Sequence, residues 1–443
     1  MSRLLNVTTG AGVCSGFTIN LGNFLLSLSD AMDLASPKLT RHQQRVALIS
    51  LRLGQAAGLS EERLANLFSA ALLHDIGALS PEDKINVHDC EVVNPELHCI
   101  RGAALFASVP LLASGSDIIK YHHLPWHWWQ EPIEKPNVLE AQLVSLADHL
   151  ERSIDRETCI LQQCREIGER IRSLSGTAFH PHAVELFQEN SGTEAFWLDI
   201  VSPRLYSLLL HSGPYQTFEV DLDTVSAIGR LFRNMIDFRS RFTSTHSSVV
   251  ADSAMLLARL SGLGEREIEL MGVAGNLHDI GKLIIPNAIL EKPGKLTPDE
   301  FAVIRQHTYF TYSVLNNIHG FEELAEWAAF HHERLDGNGY PFHHSADRLS
   351  TGARIMAVAD CSTAISEDRP YRKGMSKSEI IATLQGLSDS NGLDKEIVNI
   401  YTRNYDEYFS QCKLKQAEVR HYYDEQFLSL DTKGSMWENQ RIS

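Results

Sequence analysis

The chain of 443 residues is short of several things, and each shortage excludes something. It has no run of about 18 consecutive apolar residues, so no transmembrane helix and no membrane partner are expected. Met1 to Asp30 carries one arginine and interrupts its apolar stretches with Thr, Asn and Ser. That is unlike a secretory signal, and a cytoplasmic location is the expectation. Seven cysteines form no CxxC pair and are odd in number, which points to free thiols. Positive charge is scarce as well: 40 Lys and Arg face 56 Asp and Glu, a net charge of −16. Broad basic surface is what a nucleic-acid polymer needs, so that partner is excluded. Strand-like alternation is nearly absent. The residues that remain, 43% hydrophobic and 22% charged, are enough for packed cores and argue against long disordered stretches.

Histidine is what the chain has in plenty, 20 of them on an acidic background. Half of these belong to an internal repeat. Residues 33–77 align with 237–281 at a constant offset of 204, with no gap. Asp33, Ser36 and His42 fall on Asp237, Ser240 and His246, and the run Leu73 to Gly77 falls on Leu277 to Gly281. Loops of unequal length then shift the offset. His98 pairs with His307 and His122-His123 with His331-His332 at 209, and Asp148 pairs with Asp360 at 212.

The segments around these residues read as helices. Val46, Ile49 and Leu53, then Leu64, Leu67, Phe68, Ala71 and Leu72, recur at three- and four-residue steps, as do Val249, Val250, Leu256, Leu257 and Leu260. Asp221 or Asp223 can cap a further helix whose apolar face is Val225, Ile228, Leu231, Phe232, Met235 and Ile236. The expected fold is all-α, with two tandem domains joined by a helical connector. The expected boundaries are 1–195 for the first domain, 196–235 for the connector, 236–410 for the second domain and 411–443 for a helical tail.

His278-Asp279 ends a largely apolar segment, and Gly281 is expected to occupy the position that closes that helix. A carboxylate there is costly unless it is paired or bound to a metal. The larger set is His246, His278, Asp279, His307, His331, His332 and Asp360. Five imidazoles and two carboxylates suit a pair of first-row transition metals, and a carboxylate can bridge two cations where an imidazole cannot. The bland reading, in which each residue caps a helix or satisfies the core, is favoured for any one histidine alone. It is disfavoured for a doubled set that keeps 32 residues between its first two histidines and 24 between its third and fourth in both copies. His88-Asp89 has no counterpart in the second half and is set aside.

The second half also carries His331-His332-Glu333-Arg334-Leu335-Asp336-Gly337-Asn338-Gly339-Tyr340-Pro341, His278-Asp279-Ile280-Gly281-Lys282 and Asp368-Arg369-Pro370-Tyr371-Arg372. In these three motifs it resembles the HD-GYP phosphodiesterases, a bacterial branch of the HD hydrolase superfamily, over about residues 236–410. The resemblance implies a helical HD domain that hydrolyses cyclic di-GMP or 3′,3′-cyclic GMP–AMP to the linear 5′-phosphorylated dinucleotide, using two iron or manganese ions. It implies one metal on His246, His278 and Asp360, the other on His307, His331 and His332, and Asp279 bridging. A metal-activated water would attack phosphorus in line with the departing 3′ oxygen. Lys282 would neutralise a phosphate oxygen, and Arg334, Arg369 and Arg372 would meet phosphate or a guanine edge. Gly337 and Gly339 would let backbone approach the ligand, with Tyr340 and Pro341 stiffening the loop.

Two positions depart from the family pattern. Phe242 stands where some members have a glutamate for a third metal, and Thr363 stands where the family has a second aspartate. The first half keeps a complete second metal set, His42, His74, Asp75, His98, His122, His123 and Asp148. It answers Lys282 with Ala78 and the GYP loop with Leu124-Pro125-Trp126-His127-Trp128-Trp129. Three readings of it stand open: a metal-bearing regulatory or dimerising domain, a second hydrolytic site, or a structural relic. Two readings compete for the whole protein, a general HD nucleotidase and a cyclic-dinucleotide receptor that does not cleave. A homodimer is a further expectation.

Overall fold

The computed structural model describes residues 17–89, 95–240, 243–368 and 373–432. The fold is all-α, as expected, and one two-residue strand pair (Ile19–Asn20 antiparallel to Glu219–Val220) is the only named sheet among the described residues.

Each half is built on the same helices. In the first these are Leu21–Asp33, His42–Ala56, Glu61–Leu72, Glu96–Ala107, Ser116–Tyr121 and Val138–Arg152. Their counterparts are Leu222–Asp237, His246–Leu260, Glu265–Leu277, Pro298–Leu315, Glu322–Ala329 and Thr351–Ser366. Local chemistry starts them. Ser60 accepts from the Arg63 amide, with Glu61 and Glu62 in the first positive turn. Thr297 and Glu300 form a reciprocal capping box around Pro298. Of the two aspartates expected to cap the connector helix, Asp221 does so, and Val225, Ile228, Leu231, Phe232, Met235 and Ile236 are all buried.

The repeat extends to how each histidine helix is held. Asp33 accepts from the Gln43 amide, and Asp237 accepts from the amide and hydroxyl of Ser247. Both carboxylates therefore anchor the first turn of a helix that begins with a set histidine.

One apolar core runs through both halves. The Leu21–Asp33 helix of the first half packs on the Pro298–Leu315 helix of the second, and Leu222–Asp237 of the second packs on Glu96–Ala107 of the first. Each half thus lends its lead helix to the helix carrying the other's third histidine, the reciprocal pattern of an isologous dimer inside one chain. Asn23 donates to the Asn317 carbonyl, and the Asn287 amide donates to Glu82.

Helices Pro181–Asn190, Glu194–Ile200 and Leu205–Ser212 fill the segment between the halves and pack on the His42 helix. The expected divisions at 195, 235 and 410 each fall inside a helix, Glu194–Ile200, Leu222–Asp237 and Tyr405–Tyr422. Apolar periodicity marks faces and leaves helix ends to caps and packing. No helix among the described residues is long and apolar enough to cross a membrane. None of the five cysteines described is in a disulfide.

Candidate active site

The seven residues of the second-half set converge from five segments. His246 opens its helix, and His278 and Asp279 follow the end of Glu265–Leu277. His307 lies in mid-helix, His331 and His332 follow Glu322–Ala329, and Asp360 lies within Thr351–Ser366. His246 Nε2 lies 3.2 Å from Asp360 Oδ1 and 3.9 Å from Asp279 Oδ2. His278 Nε2 lies 3.2 Å from Asp279 Oδ2, and His307 Nε2 lies 3.5 Å from Asp279 Oδ1. The two oxygens of Asp279 therefore face different histidines. Two triads, His246-His278-Asp360 and His307-His331-His332, each bring their ligand atoms within 4.8 Å of one another.

The outward nitrogens explain the orientation. Nδ1 of His278, His307 and His331 bonds the carbonyl three residues back, of Gly275 (2.8 Å), Ile304 (2.6 Å) and Ala328 (2.7 Å). An Nδ1–H donated outward leaves the Nε2 lone pair facing the set. His278 Nε2 and Asp279 Oδ1 are buried and make no hydrogen bond among the described residues. Burial also holds His307 down at about 3 and lowers His331 and His332, so these rings stay neutral, as ligands must. Burial pushes the Asp279 carboxyl up, but His278 and Lys282 outweigh it and hold it well below the usual range. Inward lone pairs, an anionic bridge and orphaned buried polar atoms fit bound metal.

Gly281 does not close a helix in the left-handed conformation. It sits in the 3₁₀ turn Ile280–Ile284, and a Cβ there would lie 2.0 Å from the His307 carbonyl. Gly77 has the same relation to His98, at 1.9 Å. The glycine of each His-Asp-Ile-Gly run is what lets the third-histidine helix approach. The same turn carries Lys282, whose Nζ bonds the Asp279 carboxylate.

A cavity of about 460 Å³ opens on His331, His332 and Asp360, with Arg305, Arg334, Asn338, Gly339, Tyr340 and His343 around it. Tyr340 stacks on His332 with ring centroids 4.9 Å apart. Arg334 lines the cavity, but its guanidinium is held by Asp336, Nη2 to Oδ2 at 2.8 Å. Gly337 takes a positive φ of 74°. Gly339 lines the cavity and also makes room for the protein's own chain, since a Cβ would lie 2.4 Å from the Arg334 amide nitrogen and the Glu333 Cα. Pro341 follows Tyr340 through a cis bond and is not among the residues around the cavity. Arg369 and Arg372 lie outside the described residues, as does Phe242. Sequence reasoning missed Arg305, a lone arginine in an ordinary amphipathic helix, and Glu367, whose carboxylate meets His246 Nδ1 at 3.1 Å. No local signal marks either one.

The first-half set converges too. His42 Nε2 lies 3.6 Å from Asp75 and 3.5 Å from Asp148, His74 Nε2 lies 3.3 Å from Asp75, and His98 Nε2 lies 3.5 Å from Asp75. Asp75, His98, His122 and His123 form one potential ligand group and His42, His74 and Asp75 another. Nε2 of His42, His74, His122 and His123 makes no hydrogen bond among the described residues. His88, set aside on sequence, stands beside the set, its ring 5.3 Å from that of His42. A buried amine also approaches from the Pro81–His88 helix. Lys84 is 3% exposed, its Nζ has no hydrogen bond among the described residues, and burial pushes it down to about 8. Trp126 and Trp129 pack on their own chain, against His180 and Tyr121.

Residues 39–153 and 230–397 each match the HD domain family. The 3′3′-cGAMP-specific phosphodiesterase 1 of Vibrio cholerae is 30% identical over 403 residues, which is 89% of this chain and 94% of that protein. A cyclic di-GMP phosphodiesterase of Pseudomonas aeruginosa is 41% identical over 164 residues, 37% of this chain and 39% of its own length. The crystal structure of a cyclic GMP-AMP-specific phosphodiesterase of V. cholerae shares the fold. Its TM-score is 0.61 at 24% identity, covering 88% of this chain and 98% of that one. HD domains are metal-dependent, and both halves hold the histidines and aspartates to match. With the tandem repeat, the converging second set and the GYP loop all present, the chain belongs to the HD-GYP phosphodiesterases of the HD hydrolase superfamily.

Proposed function

We propose that the second half hydrolyses a 3′,3′-cyclic dinucleotide, by preference cyclic GMP–AMP, to the linear 5′-phosphorylated dinucleotide. One observation carries the reading: seven residues converge, and three of them, His331, His332 and Asp360, open on a cavity walled by Arg305 and Tyr340. The preference for the mixed dinucleotide rests on the relative that matches nearly the whole chain. Cyclic di-GMP is the second reading, because relatives that match 37% and 38% of this chain carry that name.

His246, His278 and Asp360 would hold one metal ion and His307, His331 and His332 a second, with Asp279 between them. Iron or manganese suits this donor set. When bound, such ions supply Lewis acidity and a water acidic enough to attack at neutral pH. The chain's own residues do the rest. Asp279 offers one oxygen to each triad, and Lys282 keeps that carboxylate ionised while presenting an ammonium beside it. Arg305 supplies the cation at the cavity wall that Arg334, tied to Asp336, does not. Tyr340 is positioned by His332 to hold a base or ribose face. In the reaction a P–O bond to water forms, the bond to the 3′ oxygen breaks, and the 3′ oxygen leaves with a proton. Arg369 and Arg372 are proposed as ligand contacts on the family resemblance alone.

The test is chromatographic. The full chain, loaded with Mn²⁺ or Fe²⁺, is given each cyclic dinucleotide and the products are separated. Linear dinucleotide is expected, faster from the mixed substrate. Asp279→Ala is expected to lower turnover by more than about 10³-fold. Unchanged turnover in that variant sinks the mechanism. Binding without any product favours the receptor, and cleavage of mononucleotides alone favours the general nucleotidase.

A further inference from the structure

In both halves the first set histidine has a difficulty that three later ones in the second half do not. His278, His307 and His331 each find a main-chain acceptor for Nδ1 three residues back. His42 and His246 are the first residues of their helices, so no helical turn precedes them to offer that carbonyl. A side chain must supply the acceptor. In the first half it is Glu151, whose Oε2 lies 2.6 Å from His42 Nδ1 and whose other oxygen is held by Arg45 and Arg156. Glu151 lies three residues beyond Asp148, on the same helix.

The matching position three residues beyond Asp360 is Thr363, which has no carboxylate. Its hydroxyl meets the Tyr408 hydroxyl at 3.3 Å instead. Yet the acceptor is present. Glu367, seven residues beyond Asp360, places Oε2 3.1 Å from His246 Nδ1 and is 6% exposed. Positions three and seven beyond the aspartate lie on one helical face, a turn apart. The helix ends at Ser366, and Glu367 leaves it in extended backbone (φ −90°, ψ 147°). The second half thus reaches the same atom of the same histidine from a different place in the sequence.

We propose that Glu367 is the positioning residue for His246, doing from beyond the helix end what Glu151 does for His42 from within it. Accepting the Nδ1 proton fixes the tautomer in which His246 Nε2 points at Asp360, and it raises the basicity of that nitrogen. The loss of the family's aspartate at Thr363 is thereby made good by a residue of this chain. The inference rests on the metal reading of the second-half set.

The experiment measures Mn²⁺ affinity by competition with a fluorescent chelator, in the full chain carrying Asp75→Asn so that the first-half set contributes little. Glu367→Ala is expected to weaken affinity by about 10–100-fold. Adding Thr363→Glu, which copies the Asp148–Glu151 spacing, is expected to restore most of it. Glu367→Gln, which keeps the shape and one acceptor oxygen, is expected to fall between parent and Glu367→Ala. Parent-like affinity in Glu367→Ala overturns the proposal, and so does a loss that Thr363→Glu leaves unrepaired. Asp279→Ala separates the two levels. If it too leaves Mn²⁺ affinity unchanged, the metal reading fails and takes this inference with it; if it abolishes binding while Glu367→Ala changes nothing, only the role of Glu367 falls.

Discussion

The two halves hold the same set of five histidines and two aspartates and surround it differently. In the second half the nearest cation, Lys282, bonds Asp279, the carboxylate between the triads. Asp360 is left facing the cavity. In the first half Ala78 stands where Lys282 would be, and the cation sits on the other aspartate, with Arg152 Nη2 2.8 Å from Asp148 Oδ2. Arg152 lies four residues beyond Asp148 on the same helix, and the matching position beyond Asp360 is Ala364. A cation on a carboxylate competes with a metal for it, Arg152 for Asp148 in the first half and Lys282 for Asp279 in the second. Both halves keep the same histidines and aspartates, but the cation sits on Asp279 in the second and on Asp148 in the first. One set of histidines and aspartates can thus be kept in both halves while the charges around it change.

The largest test of that contrast is the pair of bridging aspartates. Asp75→Ala is expected to leave cleavage of the cyclic substrate close to the parent, against the collapse expected for Asp279→Ala. Loss of linear-dinucleotide breakdown in Asp75→Ala would move the first half from a regulatory to a hydrolytic role.

Next comes an exchange of the arginine. Ala364→Arg brings the first half's guanidinium to Asp360 and is expected to lower both Mn²⁺ affinity and turnover by about 10–100-fold. Arg152→Ala should raise metal affinity in the first half and leave turnover unchanged. Equal behaviour of the two variants would break the comparison.

The glycines give a smaller, paired effect. Gly281→Ala and Gly77→Ala both force a Cβ against a main-chain carbonyl and should each cost about 1–3 kcal/mol, read by denaturant unfolding. Only Gly281→Ala should also reduce turnover, since only it displaces His307.

The smallest effect is on pH. Burial holds His98 at about 4 and His122 and His307 at about 3, below the ordinary value of 6.5. At these three positions the unfolded chain binds more protons than the folded one below about pH 6.5, whereas His42 and His74 are shifted upward, neighbouring carboxylates outweighing burial. The stability these three contribute to metal-free protein should therefore be lost as pH falls from there toward about 3, and metal should oppose the loss. Thermal midpoints across that range, with and without Mn²⁺, measure it.

Much of the site was legible because its residues repeat. A gapless offset over 33–77 and 237–281, with His-Asp in both copies, and the later offsets of 209 and 212 pick out the histidines and aspartates that converge. Residues that act singly left no such trace. Arg305 is one charge on an amphipathic helix, and Glu367 answers a carboxylate that the repeat places at a different spacing. His88 has no counterpart in the repeat, yet it stands against His42. Lys84 does not align with Lys282, although it brings an amine toward the same kind of site.

What the sequence by itself determined is the helical class, the tandem repeat, its duplicated histidines and aspartates, and the family. Periodicity and repeated spacing are properties of the chain taken in order, and these conclusions needed nothing more. Only the tertiary structure decided which way each ring nitrogen faces, that Gly339 makes room for its own chain, that Arg334 is tied to Asp336, and that each half lends its lead helix to the other's third-histidine helix. Those outcomes turn on distances between residues far apart in the sequence, where a hydrogen bond or a cation on a carboxylate depends on how the helices pack rather than on which residues they carry.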